Sequence, residues 1–260
     1  MAGRVRLGLA GMAGMAGVPA AAMAAAGAVA AQFWYVAHRP LPSFHDLDAN
    51  GSFGSDTMAE ARIVVLGDST VTGPGLESCT DLWSHRVARR LALEHRVRLV
   101  SLAVGGSRAH DVLVQQVPDA LALEPHLAVV SVGANDATHA TPLRKVESDL
   151  DAIAAAFGES GTGVVLAGLG DLGNIPRLAF PLKVLASMRS RAVDRIHARV
   201  AARHAHAVKV PIAQRCDDFF RSADAFCPDL FHPNRAGHAV WADAAYPVIS
   251  AALARAMMRT

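Results

Sequence analysis

Apolar residues follow two rhythms along this chain. Short runs of strand length recur at 62–66, 98–103, 127–132, 163–167 and 207–210, rich in Val, Leu and Ala. Between them the apolar positions repeat at helical spacing. Over 81–93, Leu82, Trp83, Val87, Leu91 and Ala92 can share one face while Arg86, Arg89 and Arg90 lie largely elsewhere. Further helical patterns cover about 109–123, 143–157, 182–204 and 236–257. Continuously apolar strands alternating with helices predict a parallel sheet covered on both faces. The expected fold is therefore α/β: a three-layer αβα, flavodoxin-like arrangement with a five-stranded parallel sheet in the order 2-1-3-4-5. In such a fold the site lies at the carboxyl ends of the strands. No internal repeat is visible.

The first forty residues break both rhythms. From Leu7 to Ala37 there is no Asp, Glu, Lys, Arg or His; Arg4 and Arg6 precede the run, and Phe33, Trp34 and Tyr35 close it ahead of His38, Arg39 and Pro40. Basic residues before and aromatics after match a helix inserted with its N-terminus in the cytoplasm, and the run exceeds the roughly 20 residues a bilayer core requires. A cleaved signal peptide, with Ala28-Val29-Ala30 as the small-x-small site, competes with the anchor. Both place the remainder of the chain outside the cytoplasm. Residues 40–60, rich in Pro, Ser, Gly, Asn and Asp, read as a linker, which leaves 1–39 as anchor or signal peptide and 61–260 as the main domain.

Charge narrows the function classes. With 25 basic and 23 acidic residues the formal net charge is +2, which gives no electrostatic case for nucleic acid. Cys79, Cys216 and Cys227 form neither a disulfide framework nor a zinc spacing. A Cys216–Cys227 bridge would rigidify the stretch before Asp229; two buried free thiols are the equal alternative.

Four separated segments carry candidate chemistry: Gly67-Asp68-Ser69-Thr70, Gly105-Gly106, Gly133-Ala134-Asn135-Asp136 and Asp229-Leu230-Phe231-His232-Pro233. Each alone is equally readable as a turn or helix cap. Three of them follow consecutive strands, so Ser69, Gly106 and Asn135 are expected at one sheet edge. There a hydroxyl nucleophile would meet one backbone and one side-chain oxyanion donor. The spacing of Asp229 and His232 lets the carboxylate reach Nδ1 and turn Nε2 toward Ser69. Val71 stands where an α/β-hydrolase nucleophile elbow requires Gly, so that motif is excluded.

In order and spacing these segments resemble the blocks of the SGNH (GDSL-type) serine esterase/lipase family, from about residue 62 to the C-terminus. The resemblance implies Ser69 as nucleophile, His232 as base and Asp229 as its partner. It also implies an oxyanion hole of Ser69 N–H, Gly106 and Asn135, with no metal or other cofactor. Thr70 replaces the Leu of the family's short name, and Ser101 stands where many relatives have Asn. The activity implied is hydrolysis of carboxylic esters through an acyl-enzyme on Ser69. Acyl transfer to, or deacetylation of, a glycan and a non-catalytic surface-tethered binding module are the alternatives. The partners expected are a small acyl ester, lipid or acylated glycan, with the membrane reached through the leader and the protein acting as a monomer.

Other candidates are weaker. His139, soon after Asn135, is a candidate for the substrate mouth, with a surface-loop His as the default reading. The Gly-rich exit 168–174, which contains Asp171, is read as a pocket rim and lacks the Lys-Ser/Thr of a phosphate loop. His197, His204 and His206 stand among Arg195, Arg199 and Arg203 and read as part of a solvated basic face rather than a metal site.

Overall fold

The computed structural model describes residues 13–38, 44 and 47–259. Its sheet has six strands: β1 (Gly51–Phe53), β2 (Glu60–Gly67), β3 (Arg96–Ser101), β4 (Leu127–Ser131), β5 (Gly163–Leu166) and β6 (Ala207–Lys209). The order is β1-β3-β2-β4-β5-β6. All neighbours are parallel except β1, which runs antiparallel to β3 with Ser52 opposite Arg98. The five parallel strands have the expected 2-1-3-4-5 order. The sixth is a correction to the five-strand expectation, and it arises from the stretch expected to be linker.

Alternation along the central strands sorts side chains into two cores. Ala61, Ile63 and Val65 of β2, with Leu127 and Val129 of β4, face one side; Val64, Leu66, Ala128 and Val130 face the other. The first core is covered by α2 (Trp83–Leu91) and α5 (Arg235–Met257), the second by α3 (Leu143–Glu159) and α4 (Leu182–Arg203). The α2 face is the expected one: Trp83, Val87, Ala88 and Leu91 are buried. Residues 109–123 are not one helix. A π-helical stretch, Val112–Gln116, interrupts them, and the chain resumes α-helix at Val117 with Pro118 in the first turn.

The leader is helical as expected over α1 (Ala13–His38). Arg4 and Arg6, the basic flank of the anchor reading, lie outside the described residues, as do Arg39 and Pro40. Among the described residues no helix is long and apolar enough to cross a membrane. Gln32 of α1 hydrogen-bonds the carbonyl of Phe180.

Candidate active site

The turn that carries Ser69 is built by the residues around it. At the end of β2, Gly67 has φ +146°, and a Cβ there would lie 1.9 Å from the Ser131 carbonyl oxygen of β4. Only glycine lets the two strand ends approach so closely. Asp68 then caps the one-turn helix Ser69–Thr72, its Oδ1 accepting from Thr70 N at 2.9 Å. Ser69 thus opens the turn, where its own N–H has no intrahelical acceptor. Gln116, buried in the π-helical stretch, braces the turn from below. Its Oε1 accepts from Gly67 N at 2.8 Å and its Nε2 donates to the Gly67 carbonyl at 3.0 Å.

From the far end of the chain comes the loop before α5. Asp229, with a fully buried side chain, accepts at Oδ2 from His232 Nδ1 at 2.6 Å. Its Oδ1 accepts the backbone N–H groups of Phe231 and His232 at 2.9 and 3.0 Å. Burial acts to raise the Asp229 pKa, but the His232 ring and those two N–H groups prevail and hold it below its ordinary value. With Nδ1 donating to the carboxylate, the proton-accepting nitrogen is Nε2. The loop folds tightly: Leu230 sits at φ +58°, a left-handed conformation that costs a branched residue about 1–2 kcal/mol. Arg177 offsets part of that cost, donating from its backbone N to the Leu230 carbonyl at 3.1 Å and from Nη1 to the Asp229 carbonyl at 3.4 Å. Asn234 stops the loop by capping α5 through Ala236 N and Gly237 N.

Ser69, Asn135 and His232 line one cavity of about 120 Å³, open to solvent. No hydrogen bond joins Ser69 Oγ to His232 among the described residues. Asn135 Nδ2 is shared between the Ser107 carbonyl at 3.1 Å and Asp68 Oδ2 at 3.3 Å. Asp68 is wholly buried, and burial pushes its pKa up to about 6. Gly106 does not line the cavity, but its φ of +84° is one that glycine adopts readily, and its N–H has no backbone acceptor among the described residues.

The two weaker sequence candidates separate. Asp171 lines the cavity, yet its carboxylate is engaged by Arg191 at 2.7 Å, Ser187 at 2.9 Å and Gly173 N at 2.8 Å, so it shapes the rim. His139 does not line the cavity; its Nδ1 lies 2.9 Å from the Asn135 carbonyl on an exposed turn. Cys216 and Cys227 are free and buried, their thiols pushed up by burial to about 12 and about 11. Of the remaining His, His204 pairs with Asp151 at 3.1 Å and His206 with the Ala154 carbonyl at 2.7 Å. His197 departs from the expectation of a solvated face: it is wholly buried beneath Gly133.

The sequence profile of the GDSL-like lipase/acylhydrolase family matches residues 65–240, a stretch that includes the Ser69 turn, the Gly106 and Asn135 segments and the Asp229–His232 loop. This chain belongs to that family. It is 29% identical over 201 residues to the GDSL-like esterase Rv1075c of Mycobacterium tuberculosis, covering 75% of this chain and 63% of that protein. The chain thus spans less than two thirds of that relative's length. Among solved structures the fold is similar to TesA, with TM-score 0.62, 22% identity, 74% of this chain and 99% of that one. It is also similar to LAE5 from the metagenome of Lake Arreo, Spain (TM-score 0.61, 22% identity, 76% and 96%), and to the acetylxylan esterase Axe2 of Geobacillus stearothermophilus (TM-score 0.55, 17% identity, 73% and 94%). These likenesses carry the three-layer fold.

Proposed function

We propose that this protein hydrolyses carboxylic esters through an acyl-enzyme on Ser69. The observation that carries the reading is the 2.6 Å Asp229–His232 pair, whose imidazole lines the same cavity as Ser69 while the carboxylate is buried behind it. Ser69 Oγ attacks the ester carbonyl carbon while His232 Nε2 takes its proton. The carbonyl oxygen becomes an oxyanion facing Ser69 N–H and Asn135 Nδ2, with Gly106 N–H, outside the cavity lining here, as the third donor that the family resemblance implies. Collapse breaks the C–O bond, and the alcohol leaves with the proton from His232. A water molecule, deprotonated by His232, attacks the acyl-enzyme, and the acid departs as Ser69 Oγ regains its proton. Asn135 has two amide hydrogens and two partners. The oxyanion therefore shares the longer bond, the one to Asp68, while the Ser107 bond keeps the amide aimed.

A fluorophosphonate probe tests this reading. Wild-type protein is expected to label and Ser69→Ala to stay unlabelled; equal labelling of both would remove Ser69 from the mechanism. Location is part of the same proposal: the charge-free stretch from Leu7 to Ala37 carries the domain out of the cytoplasm, as tether or cleaved signal. Carbonate extraction of membranes with N-terminal sequencing separates the two, and a soluble cytoplasmic product with an intact leader would refute both.

A further inference from the structure

We infer that the cavity beside Ser69 is an acyl pocket for straight apolar chains of about four to eight carbons, and that Phe220, Trp241 and Ala245 set this length. The inference rests on the ester-hydrolase reading and specifies its substrate. On the core side, the cavity wall is made by Trp83 of α2 together with Trp241 and Ala245 of α5, which lie one helical turn apart. Phe220 packs between elements there, its ring 5.4 Å from that of Trp241 and 5.6 Å from that of Phe226. None of these side chains offers a charge. Ala245 is 2% exposed, so its small methyl keeps open space that a longer side chain would occupy.

Size sets the range. At about 120 Å³ the cavity is close to the roughly 150 Å³ apolar cavity that takes up benzene in another protein. That corresponds to a guest of about six carbons, and an acetyl group would leave most of the wall without contacts.

The polar residues of the rim argue the same way. Asp217 Oδ1 accepts from Asp171 N at 2.9 Å, and Asn174 Nδ2 donates to the Asp217 carbonyl at 3.3 Å. Asp171 is held by Arg191, Ser187 and Gly173. The Asp171 carboxylate, one Asp217 oxygen and the Asn174 amide nitrogen are thus already engaged by neighbouring protein groups, which leaves fewer of them to grip sugar hydroxyls. An acylated glycan placed with its sugar in this cavity would bury hydroxyls against aromatic faces without partners.

The experiment measures kcat/KM on p-nitrophenyl esters from acetate to dodecanoate. Each methylene taken into the wall is expected to raise kcat/KM about fourfold until the cavity is full, so hexanoate should exceed acetate by at least tenfold and dodecanoate should fall below hexanoate. Ala245→Leu is expected to lower the hexanoate-to-acetate ratio at least tenfold, and Phe220→Ala to move the optimum to longer chains. An acetate optimum in wild type, or an unchanged profile in both variants where they melt like wild type, overturns the inference. Ligand binding to Ser69→Ala is read separately through the fluorescence of Trp83 and Trp241. Hexanoate is expected to change it and acetate to leave it unaltered, and equal responses overturn the pocket whatever the variants do. Failure of the hydrolase reading is a different result: no turnover of any ester and no probe on Ser69, with the hexanoate response intact.

Discussion

The indole Nε1 of Trp83 donates to the Thr70 carbonyl at 2.9 Å, fastening α2 to the turn that carries Ser69. Trp83 is 3% exposed, and its backbone N–H in turn donates to Nδ1 of His238 in α5 at 3.3 Å. Two helices from distant parts of the chain thus hold the Ser69 turn from one side. Trp83→Phe keeps most of the ring volume and deletes the donor. It is expected to cost about 1–3 kcal/mol of stability and to lower kcat more than it raises KM. Urea denaturation and ester kinetics check this, and a variant with wild-type kcat would show that the tie does not position Ser69.

Asp229→Asn retains an acceptor for the Phe231 and His232 N–H groups but removes the charge that fixes the imidazole tautomer. Activity is expected to fall by roughly 10³–10⁴-fold with the fold intact by circular dichroism. Asn135→Ala, which deletes one oxyanion donor, is expected to cost roughly 10²–10³-fold in kcat. Losses under tenfold in either variant would displace that residue from its role.

Asp68 gives the stability profile an unusual sign. Burial raises its pKa from 3.8 to about 6 in the folded protein, so between those values the native state binds more protons than the unfolded chain. Stability from this group is therefore greatest below pH 4 and declines as pH rises toward 6, by roughly 3 kcal/mol in total. Asp68→Asn is expected to remove that decline when unfolding free energies at pH 4.5 and 7 are compared. A variant that keeps the wild-type difference between the two pH values would locate the effect elsewhere.

His238 acts in the opposite direction. It is buried, near the positive charge of Arg86, and its pKa is pushed down to about 3. The unfolded chain then binds the extra proton between about pH 6.5 and 3, and stability is lost as pH falls through that window. At pH 5 the loss is about 2 kcal/mol. His238→Gln preserves an acceptor for Trp83 N and should be less acid-sensitive by that amount. Chemical denaturation at pH 8 and pH 5 measures it, and equal sensitivity of the two proteins would contradict the assignment.

What the chain reveals by itself follows the range of the interaction. Runs such as Ile63-Val64-Val65-Leu66 declare buried parallel strands because every residue is apolar, and the structure adds only which side faces which helix. Ser69 and Asn135 are legible because they come in short motifs at strand ends, Asp229 and His232 because they share one short motif ahead of a helix. Gln116, Trp83 and Arg177 carry no such signature: their side chains reach partners 49, 13 and 52 positions away. The break at Val112–Gln116 left a trace in Pro118, which suits a helix start better than a helix interior. β1 was hidden for a different reason. Gly51, Ser52 and Phe53 resemble a loop, and their strand exists only because β3 offers an unpaired edge.

That small strand has a practical bearing on handling the protein. Asn50 Oδ1 accepts from Ser101 N at 2.8 Å, and the Ala49 carbonyl lies 3.0 Å from His85 Nε2 of α2, so residues 49–53 are stitched onto the rim of β3 and onto the helix beside it. Trimming the leader back to residue 60 would strip this cover and leave a bare backbone ready to pair with another molecule, inviting aggregation during expression. A cut upstream of residue 47 keeps the flap in place.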